Sequence, residues 1–323
     1  MIVSTVIAVG DPTGGAEFGA IERLAARAGT PPRGEVWIGD DAAVVRVGGG
    51  VIVIAADALV DGVHADLRLT SLADLGWKAL ATNVSDLAAM GCVASRAIVT
   101  VSAPSEAVIG PLYDGLFEAA AAYECPVVGG DLTGAPRLVV SVTVIGDGGV
   151  EPPPVLRSGA TAGDEIWVSG PLGAAAAGLR ALRSGEREGP LVAAHARPRA
   201  RVGEGVAARQ LGATAMIDVS DGLAADLGHI LDASGVGCAL DHVPVAAGAS
   251  EADAVGGGDD YELVWCCPAG TDLVEGFARR ALRAPLRIGR CLADPTTRTL
   301  QGRPLGAAGW SHFSPGDHFS PRE

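Results

Sequence analysis

The segment DLGWKALATNVSDLAAMG, residues 74–91, indicates the fold of the first half of the chain. Its apolar residues recur at helical spacing and predict a helix over Asp74 to Met90 that ends at Gly91; they are Leu75, Ala79, Leu80, Val84, Leu87 and Met90. Asp86 lies among these apolar residues, where an unpartnered carboxylate would be unfavourable. We therefore expect a metal ion or another cation beside Asp86.

Strand and helix patterns alternate on both sides of this helix. Before it, the sequence predicts a helix over 17–28 and a hairpin of strands 44–47 and 51–54. After it come strand 97–101, helix 106–122 and strands 127–128 and 138–145. The second half contains strands 166–168, 215–219 and 262–267, with helices 174–182, 202–211 and 223–233. This order predicts an α/β (α+β) fold.

The best candidate for a linker is Pro152-Pro153-Pro154, because consecutive prolines favour an extended segment without backbone hydrogen bonds. The chain has 323 residues, enough for about two domains at roughly 150 residues each. We therefore predict an N-terminal domain over residues 1–150 and a C-terminal domain over residues 151–323.

Composition excludes several classes of protein. Apolar residues make up 48% and charged residues 19%, which is typical of a folded globular chain. The net charge of −14 disfavours binding to nucleic acid or to an anionic membrane. Lys78 is the only lysine and is followed by Ala79, so the chain has no G-x-x-x-x-G-K-[ST] phosphate loop.

The six cysteines and the N-terminus favour a cytoplasmic protein. The cysteines never form a C-x-x-C motif, so neither a zinc site nor a disulfide framework is indicated. The apolar run over residues 1–10 is too short to span a membrane and has no basic residue before it, so we expect no targeting segment.

Aspartates near the predicted strand ends are the main chemical signal. Asp40 and Asp41 precede a strand, Asp57 and Asp131 follow apolar runs, and Asp218 and Asp221 follow the strand over 215–219. Any one of them alone is more often a turn former or a helix N-cap. With Asp86, the group instead favours a site for magnesium and a nucleotide, because Mg²⁺ binds a few carboxylates together with substrate phosphates.

Other candidates have plainer alternatives. Gly130, beside Asp131, serves either a tight turn or the close approach of the backbone to a phosphate. His64 alone would more often be a loop residue. Arg157 and the run Arg197-Pro198-Arg199-Ala200-Arg201 are either solvated charges or phosphate clamps. Trp310 is either packed or a flat platform for an aromatic ligand.

Several longer strings together resemble the thiamine-monophosphate kinase family, part of the aminoimidazole ribonucleotide synthetase-like ATP-binding superfamily. They are GDDAA at 39–43, DALVDGVH at 57–64, KALATNVSDLAAMG at 78–91, GGD at 129–131, IDVSDGLAADL at 217–227, DDYEL at 259–263 and GWSHF at 309–313. The similarity extends from Glu17 to Phe313, and the strings at 78–91 and 217–227 are specific.

The resemblance implies roles for individual residues. The implied magnesium ligands are Asp41, Asp57, Asp86, Asp131, Asp218 and Asp221. Gly130, Asp131, Arg157 and Ser220 are implied at the ATP, and His64, Asp259 and Trp310 at the thiamine phosphate. Asp86, Asp218 and Arg157 are the implied catalytic residues. The implied fold is an N-terminal mixed sheet that forms a β-barrel with its twin in a homodimer, followed by a C-terminal α/β domain.

The implied activity is the ATP-dependent, Mg²⁺-assisted phosphorylation of thiamine monophosphate to thiamine diphosphate. The sequence departs from the family pattern in having Ala55 and Ala56 before Asp57, Ala65 after His64, Asp259 in place of Glu and Ser311 in place of Asp. Two alternatives therefore stand beside this activity. One is a related ATP-dependent enzyme with another acceptor, and the other is a catalytically silent protein that binds thiamine phosphate or a nucleotide.

Overall fold

The computed structural model describes residues 17–149, 151–306 and 309, without the side chain of Phe18. Helix α1 (Glu17–Ala28) comes first and has the bounds that the sequence predicts. The first sheet contains β1 (Ala43–Val47), β2 (Gly50–Val60), β3 (Val93–Ala103), β4 (Val127–Gly134) and β5 (Val139–Asp147). Its order is β1-β2-β5-β3-β4, and only the β3–β4 pair is parallel.

Two helices pack against each other beside this sheet: α2 (Leu72–Ala89) and α3 (Ile109–Ala122). The N-cap residue of α2 is Ser71, whose side chain accepts a hydrogen bond from the Asp74 backbone N–H. The two helices approach very closely, because a Cβ atom on Gly115 would lie 1.7 Å from the Ala73 carbonyl oxygen. Glycine is therefore required at this crossing, which fixes the position of α2.

The two faces of the first sheet differ in burial. In β5, Val140, Val142 and Val144 are buried on the face that contacts α2. The opposite face carries half-buried residues of β5 and the exposed Ile98 of β3. We call this second face the open face: Ala56, Ala58, Ile98, Thr100, Asp131, Ser141 and Thr143.

The second half of the chain forms a seven-stranded mixed sheet. Its strands are β6 (Glu165–Val168), β7 (Ala215–Asp218), β8 (Gly237–Leu240), β9 (Leu263–Cys267), β10 (Leu286–Leu292), β11 (Arg298–Leu300) and β12 (Arg303–Pro304). Their order is β12-β11-β8-β10-β6-β9-β7. The helices are α4 (Ala174–Ser184), α5 (Pro190–Ala196), α6 (Val202–Gln210), α7 (Leu223–Ser234), α8 (Glu251–Gly256) and α9 (Leu273–Ala278).

The predicted mixed α/β fold is confirmed, with two sheets that each have their own buried apolar cluster. Neither sheet closes into a barrel among the described residues, and the domain boundary near residue 150 stays a prediction. Over the described ranges, the helices lack the combined length and apolarity needed to cross a membrane.

The two strands that carry Asp57 and Asp131 are longer than predicted. Strand β2 continues through Asp57 to Val60, and β4 continues through Asp131 to Gly134. The prediction that Asp57 and Asp131 stand at strand ends is therefore wrong. Pairing with β5 and β3 keeps both segments extended, although Asp and Gly are poor strand formers by themselves.

Candidate active site

A cavity of about 1000 Å³ is lined by residues from both halves of the chain. Nine predicted site residues line it: Asp41, Asp57, His64, Asp86, Arg157, Asp218, Ser220, Asp221 and Asp259. Gly130 and Asp131 are not among the lining residues, and Trp310 lies outside the described residues. Most of the predicted set thus shares one cavity.

Three carboxylates in this cavity come close enough to share a metal ion. Asp41 precedes β1, Asp86 is on α2, and Asp218 is the last residue of β7. One carboxylate oxygen from each lies within 4.8 Å of the other two. These three residues are called the carboxylate cluster below.

The electrostatics of the cluster favour a bound cation. Burial raises the pKa of Asp218 to about 7, with a further contribution from the negative charge of Asp41. Burial and the charges of Asp218, Asp57 and Asp41 raise the pKa of Asp86 well above its ordinary value. The Oδ2 atom of Asp41 is buried without a hydrogen-bond partner among the described residues. Oxygen donors in this arrangement fit a hard divalent ion such as Mg²⁺.

Two polar side chains of α2 hold the cavity-lining aspartates in place. The Ser85 hydroxyl donates a hydrogen bond of 2.6 Å to Asp218. The Asn83 side-chain oxygen accepts a hydrogen bond of 2.8 Å from the Asp57 backbone N–H. These contacts explain why polar residues occupy buried positions in an otherwise apolar helix.

Arg157 is bound to the same region of the cavity. Its guanidinium donates a hydrogen bond of 2.7 Å to Asp41, and its backbone N–H donates one of 3.2 Å to Asp40. Burial and the charge of Asp41 raise the pKa of Asp40 to about 7. Arg157 therefore places a permanent positive charge beside the carboxylate cluster.

The loop that carries Asp221 is fixed by Asp226 of α7. One oxygen of Asp226 accepts hydrogen bonds of 3.0 Å from the backbone N–H groups of Asp221 and Gly222. Asp226 also lines the cavity, although the sequence analysis did not single it out. Its position in the first turn of a helix, four residues after a glycine N-cap, is the signal that could have identified it.

At another part of the cavity, Asp259 is held by two neighbours. The Lys78 ammonium donates a hydrogen bond of 2.7 Å to one carboxylate oxygen, and the Tyr261 hydroxyl donates one of 3.1 Å to the other. His64, which also lines the cavity, accepts a hydrogen bond from the Val60 backbone N–H on Nδ1, so the neutral ring carries its proton on Nε2. Sequence reasoning missed Lys78, although a single lysine in an apolar helix was the available signal.

Asp131 occupies a different place from the other predicted ligands. In the register of the first sheet, Asp57 pairs with Val142 on the face that α2 covers, whereas Asp131 pairs with Thr100 on the open face. The side chains of Asp57 and Asp131 therefore project from opposite faces of the sheet. The role of Asp131 as a magnesium ligand stays a prediction.

The arginines over 197–201 do not line the cavity. Arg197 contacts Asp74 and Glu118, and Arg201 contacts Glu262. These carboxylates lie outside the cavity as well, so the phosphate-clamp hypothesis receives no support for these two residues.

Comparison with known proteins identifies the family. The family models for AIR synthase related proteins match residues 39–147 with the N-terminal domain and residues 161–299 with the C-terminal domain. A thiamine-monophosphate kinase of Mycobacterium tuberculosis (strain ATCC 25618 / H37Rv) is 39% identical over 320 residues, covering 94% of this chain and 93% of that protein. The chain belongs to the thiamine-monophosphate kinase family.

Solved structures agree with membership of the thiamine-monophosphate kinase family. One, described as AaThiL complexed with AMPPCP and TMP, superposes with a TM-score of 0.81 at 30% identity, covering 92% of this chain and 97% of that one. The thiamine-monophosphate kinase of Stenotrophomonas maltophilia K279a has a TM-score of 0.72 at 36% identity, with coverage of 89% and 97%. The resemblance found in the sequence is confirmed, and the chain is an enzyme of the kinase class.

Proposed function

We propose that this enzyme transfers the γ-phosphoryl group of ATP to the phosphate of thiamine monophosphate, giving ADP and thiamine diphosphate. The observation that carries the proposal is the carboxylate cluster, in which Asp41, Asp86 and Asp218 meet within 4.8 Å at a cavity of about 1000 Å³. Family membership and the related complex with AMPPCP and TMP give further support.

Magnesium is the proposed metal, and its ligands are the carboxylate cluster together with Asp57 and Asp221, which line the same cavity. When bound, Mg²⁺ neutralises phosphate charge and stabilises the transferring phosphoryl group. Ala55 and Ala56 also line the cavity but offer no side-chain oxygen, so they add no ligands beyond the backbone.

The main task of the chain's own residues is to position the two substrates. A phosphate monoester has a second pKa of about 6, so the acceptor oxygen is already a nucleophile at neutral pH and no general base is needed. The two polyanions must instead be brought together in line. Arg157 beside Asp41 and Ser220 in the loop before α7 are proposed to hold ATP. His64, Asp259 and Trp310 are proposed to hold the acceptor.

We also propose a homodimer formed through the open face. This face carries Ile98, which is 41% exposed, and it adjoins β4, an edge strand with unpaired backbone groups. A second copy on this face would cover both features and enclose Asp131 between the two sheets. Packing of two identical sheets is a symmetric interface, the commonest kind in homodimers.

Coupled measurement of ADP release tests the activity, with thiamine monophosphate, thiamine or no acceptor in parallel reactions. We expect ADP release that depends on thiamine monophosphate and on Mg²⁺. Equal ADP release with and without thiamine monophosphate would favour a related enzyme with another acceptor. Binding of thiamine monophosphate without ADP release would favour a silent binding protein.

Six free cysteines further support the proposed cytoplasmic location.

A further inference from the structure

Lys78 is the only lysine of the chain, and it lies in the cavity wall rather than on the surface. Its side chain is 3% exposed, and its ammonium contacts Asp259 at 2.7 Å. Burying an ammonium group is unfavourable unless an anion compensates for the lost hydration. The contact to Asp259 supplies that anion, from a segment 181 residues further along the chain.

The two charges of this pair differ in their access to the cavity. The Asp259 side chain is 33% exposed, whereas Lys78 is covered. A ligand in the cavity therefore meets the carboxylate first, with the ammonium behind it. Tyr261 fixes the other carboxylate oxygen, and the Asp259 backbone N–H donates a hydrogen bond of 2.8 Å to the Ser220 carbonyl.

The backbone around Asp259 is held in an unfavourable conformation. Asp259 has a φ of 69° and Tyr261 a φ of 50°, both in the left-handed region that non-glycine residues rarely adopt. Such conformations persist only where surrounding contacts enforce them, and they cluster at binding sites. The ion pair with Lys78 is one of the contacts that enforce the conformation of Asp259.

The neighbouring groups keep the carboxylate charged. Burial is the largest single influence and alone would raise the pKa of Asp259, but the charge of Lys78 and the other neighbouring groups, with the hydrogen bonds from Lys78 and Tyr261, together lower the pKa. His195 of α5 lies 3.9 Å from Asp259, and burial together with Lys78 lowers its pKa to about 4, so it is neutral at pH 7. Arg183 of α4 adds positive charge near His195.

We infer that Lys78 is a positioning residue that fixes the Asp259 carboxylate in the cavity wall so that it binds a cationic part of the acceptor. The inference rests on the proposed function, in which the thiazolium ring of thiamine monophosphate is that cation. Lys78 itself does not touch the acceptor. Removal of Lys78 leaves the Asp259 carboxylate misplaced and more readily protonated.

The experiment compares Lys78→Met, Lys78→Arg and the parent in the ADP-release assay. Lys78→Met is expected to raise KM for thiamine monophosphate at least tenfold while KM for ATP stays within twofold. The acidic limb of the kcat/KM profile for thiamine monophosphate should move to higher pH, because Asp259 loses its cation. Lys78→Arg keeps the cation, so its acidic limb should match the parent while KM for thiamine monophosphate rises by a smaller factor.

Arg287→Met is the control variant, since Arg287 forms ion pairs with Glu165 and Asp241 and does not line the cavity. It should leave both KM values within twofold of the parent. The inference is overturned if KM for thiamine monophosphate is unchanged in the Lys78 variants, or if KM for ATP rises equally. If Lys78→Met does not fold, the KM values of Lys78→Arg test the inference instead.

A failure of the proposed function gives a different result from a failure of this inference. If the parent binds thiamine monophosphate in calorimetry without releasing ADP, the same comparison is made with Kd, and an unchanged Kd in Lys78→Met overturns the inference alone. If the parent binds no thiamine monophosphate, both the proposed function and the inference fail.

Discussion

The Ser85 hydroxyl of α2 lies 2.6 Å from the carboxylate of Asp218 at the end of β7. This contact joins the two halves of the chain at the carboxylate cluster. It holds the Asp218 carboxylate of the second half against α2 of the first half, where Asp86 is the next residue after Ser85. The proposed metal site therefore depends on how the two halves pack, and each half alone supplies only part of it.

Replacement of Asp86 tests the cluster through activity. Asp86→Asn is expected to lower kcat by about a hundredfold or more, the loss typical of removing one group that stabilises a developing charge. The melting temperature without metal should not fall, because burial and the neighbouring carboxylates disfavour a charge at this position and Asn carries none. Turnover within a few-fold of the parent would contradict the assigned role.

The stability of the metal-free protein should decrease as pH rises from about 5 to about 7.5 and should level off above that range. The pKa values of Asp40 and Asp218 are raised to about 7, so between the ordinary carboxyl pKa and about 7 the folded state binds more protons than the unfolded state, and rising pH over that range favours unfolding. Calorimetry in EDTA should show that the melting temperature decreases less with rising pH in Asp218→Asn than in the parent. Added Mg²⁺ at pH 8 should raise the melting temperature of the parent by about 2 °C or more, and that of the variant less.

The close contact between α2 and α3 can be tested with a matched pair of glycines in α3. Gly115→Ala should destabilise the fold by about 1–3 kcal/mol, because its Cβ would lie 1.7 Å from the Ala73 carbonyl oxygen. Gly110→Ala meets no atom within 4 Å and should be neutral or stabilise by up to about 1 kcal/mol. Equal unfolding free energies in urea for the two variants would contradict the packing described.

The proposed dimer predicts that a charge on the open face dissociates it. Ile98→Glu should be monomeric in sedimentation equilibrium, whereas Val274→Glu, a slightly more exposed position on α9, should not change the association state. A monomeric parent would remove the basis for the proposed interface.

Asp131 should act in the site of the other copy, because it projects from the open face rather than toward the cluster of its own chain. Asp131→Asn and Asp86→Asn should each be inactive as pure proteins. Mixing them after reversible dissociation should restore about a quarter of the parental activity, since half of the dimers are mixed and each has one intact site. No recovery in mixtures shown to contain mixed dimers would contradict this placement.

Local patterns were sufficient to predict many of the elements. Helix α2 was expected over Asp74 to Met90 and extends over Leu72–Ala89, because its apolar stripe and the glycine after it are local signals. Strand β4 was underestimated, since only pairing with β3 keeps Gly129 to Gly134 extended. Helices α5, α8 and α9 and strands β8 and β10–β12 were missed because they are short segments with weak local patterns.

For the site, the sequence could identify carboxylates but not their arrangement. Asp41, Asp86 and Asp218 were identified from local context, and they do meet. The separate orientation of Asp131 depends on strand register, which its glycine-rich segment does not specify. The ion pair between Lys78 and Asp259 joins residues 181 positions apart, so no local pattern could indicate this ion pair.

Binding of Mn²⁺, followed by electron paramagnetic resonance, tests the central claim most directly, because Mn²⁺ accepts the same oxygen ligands as Mg²⁺. The parent should bind Mn²⁺ more tightly when an ATP analogue is present, and Asp86→Asn and Asp218→Asn should each weaken that binding at least tenfold. Binding of equal strength in the parent and both variants would contradict a metal site at the carboxylate cluster.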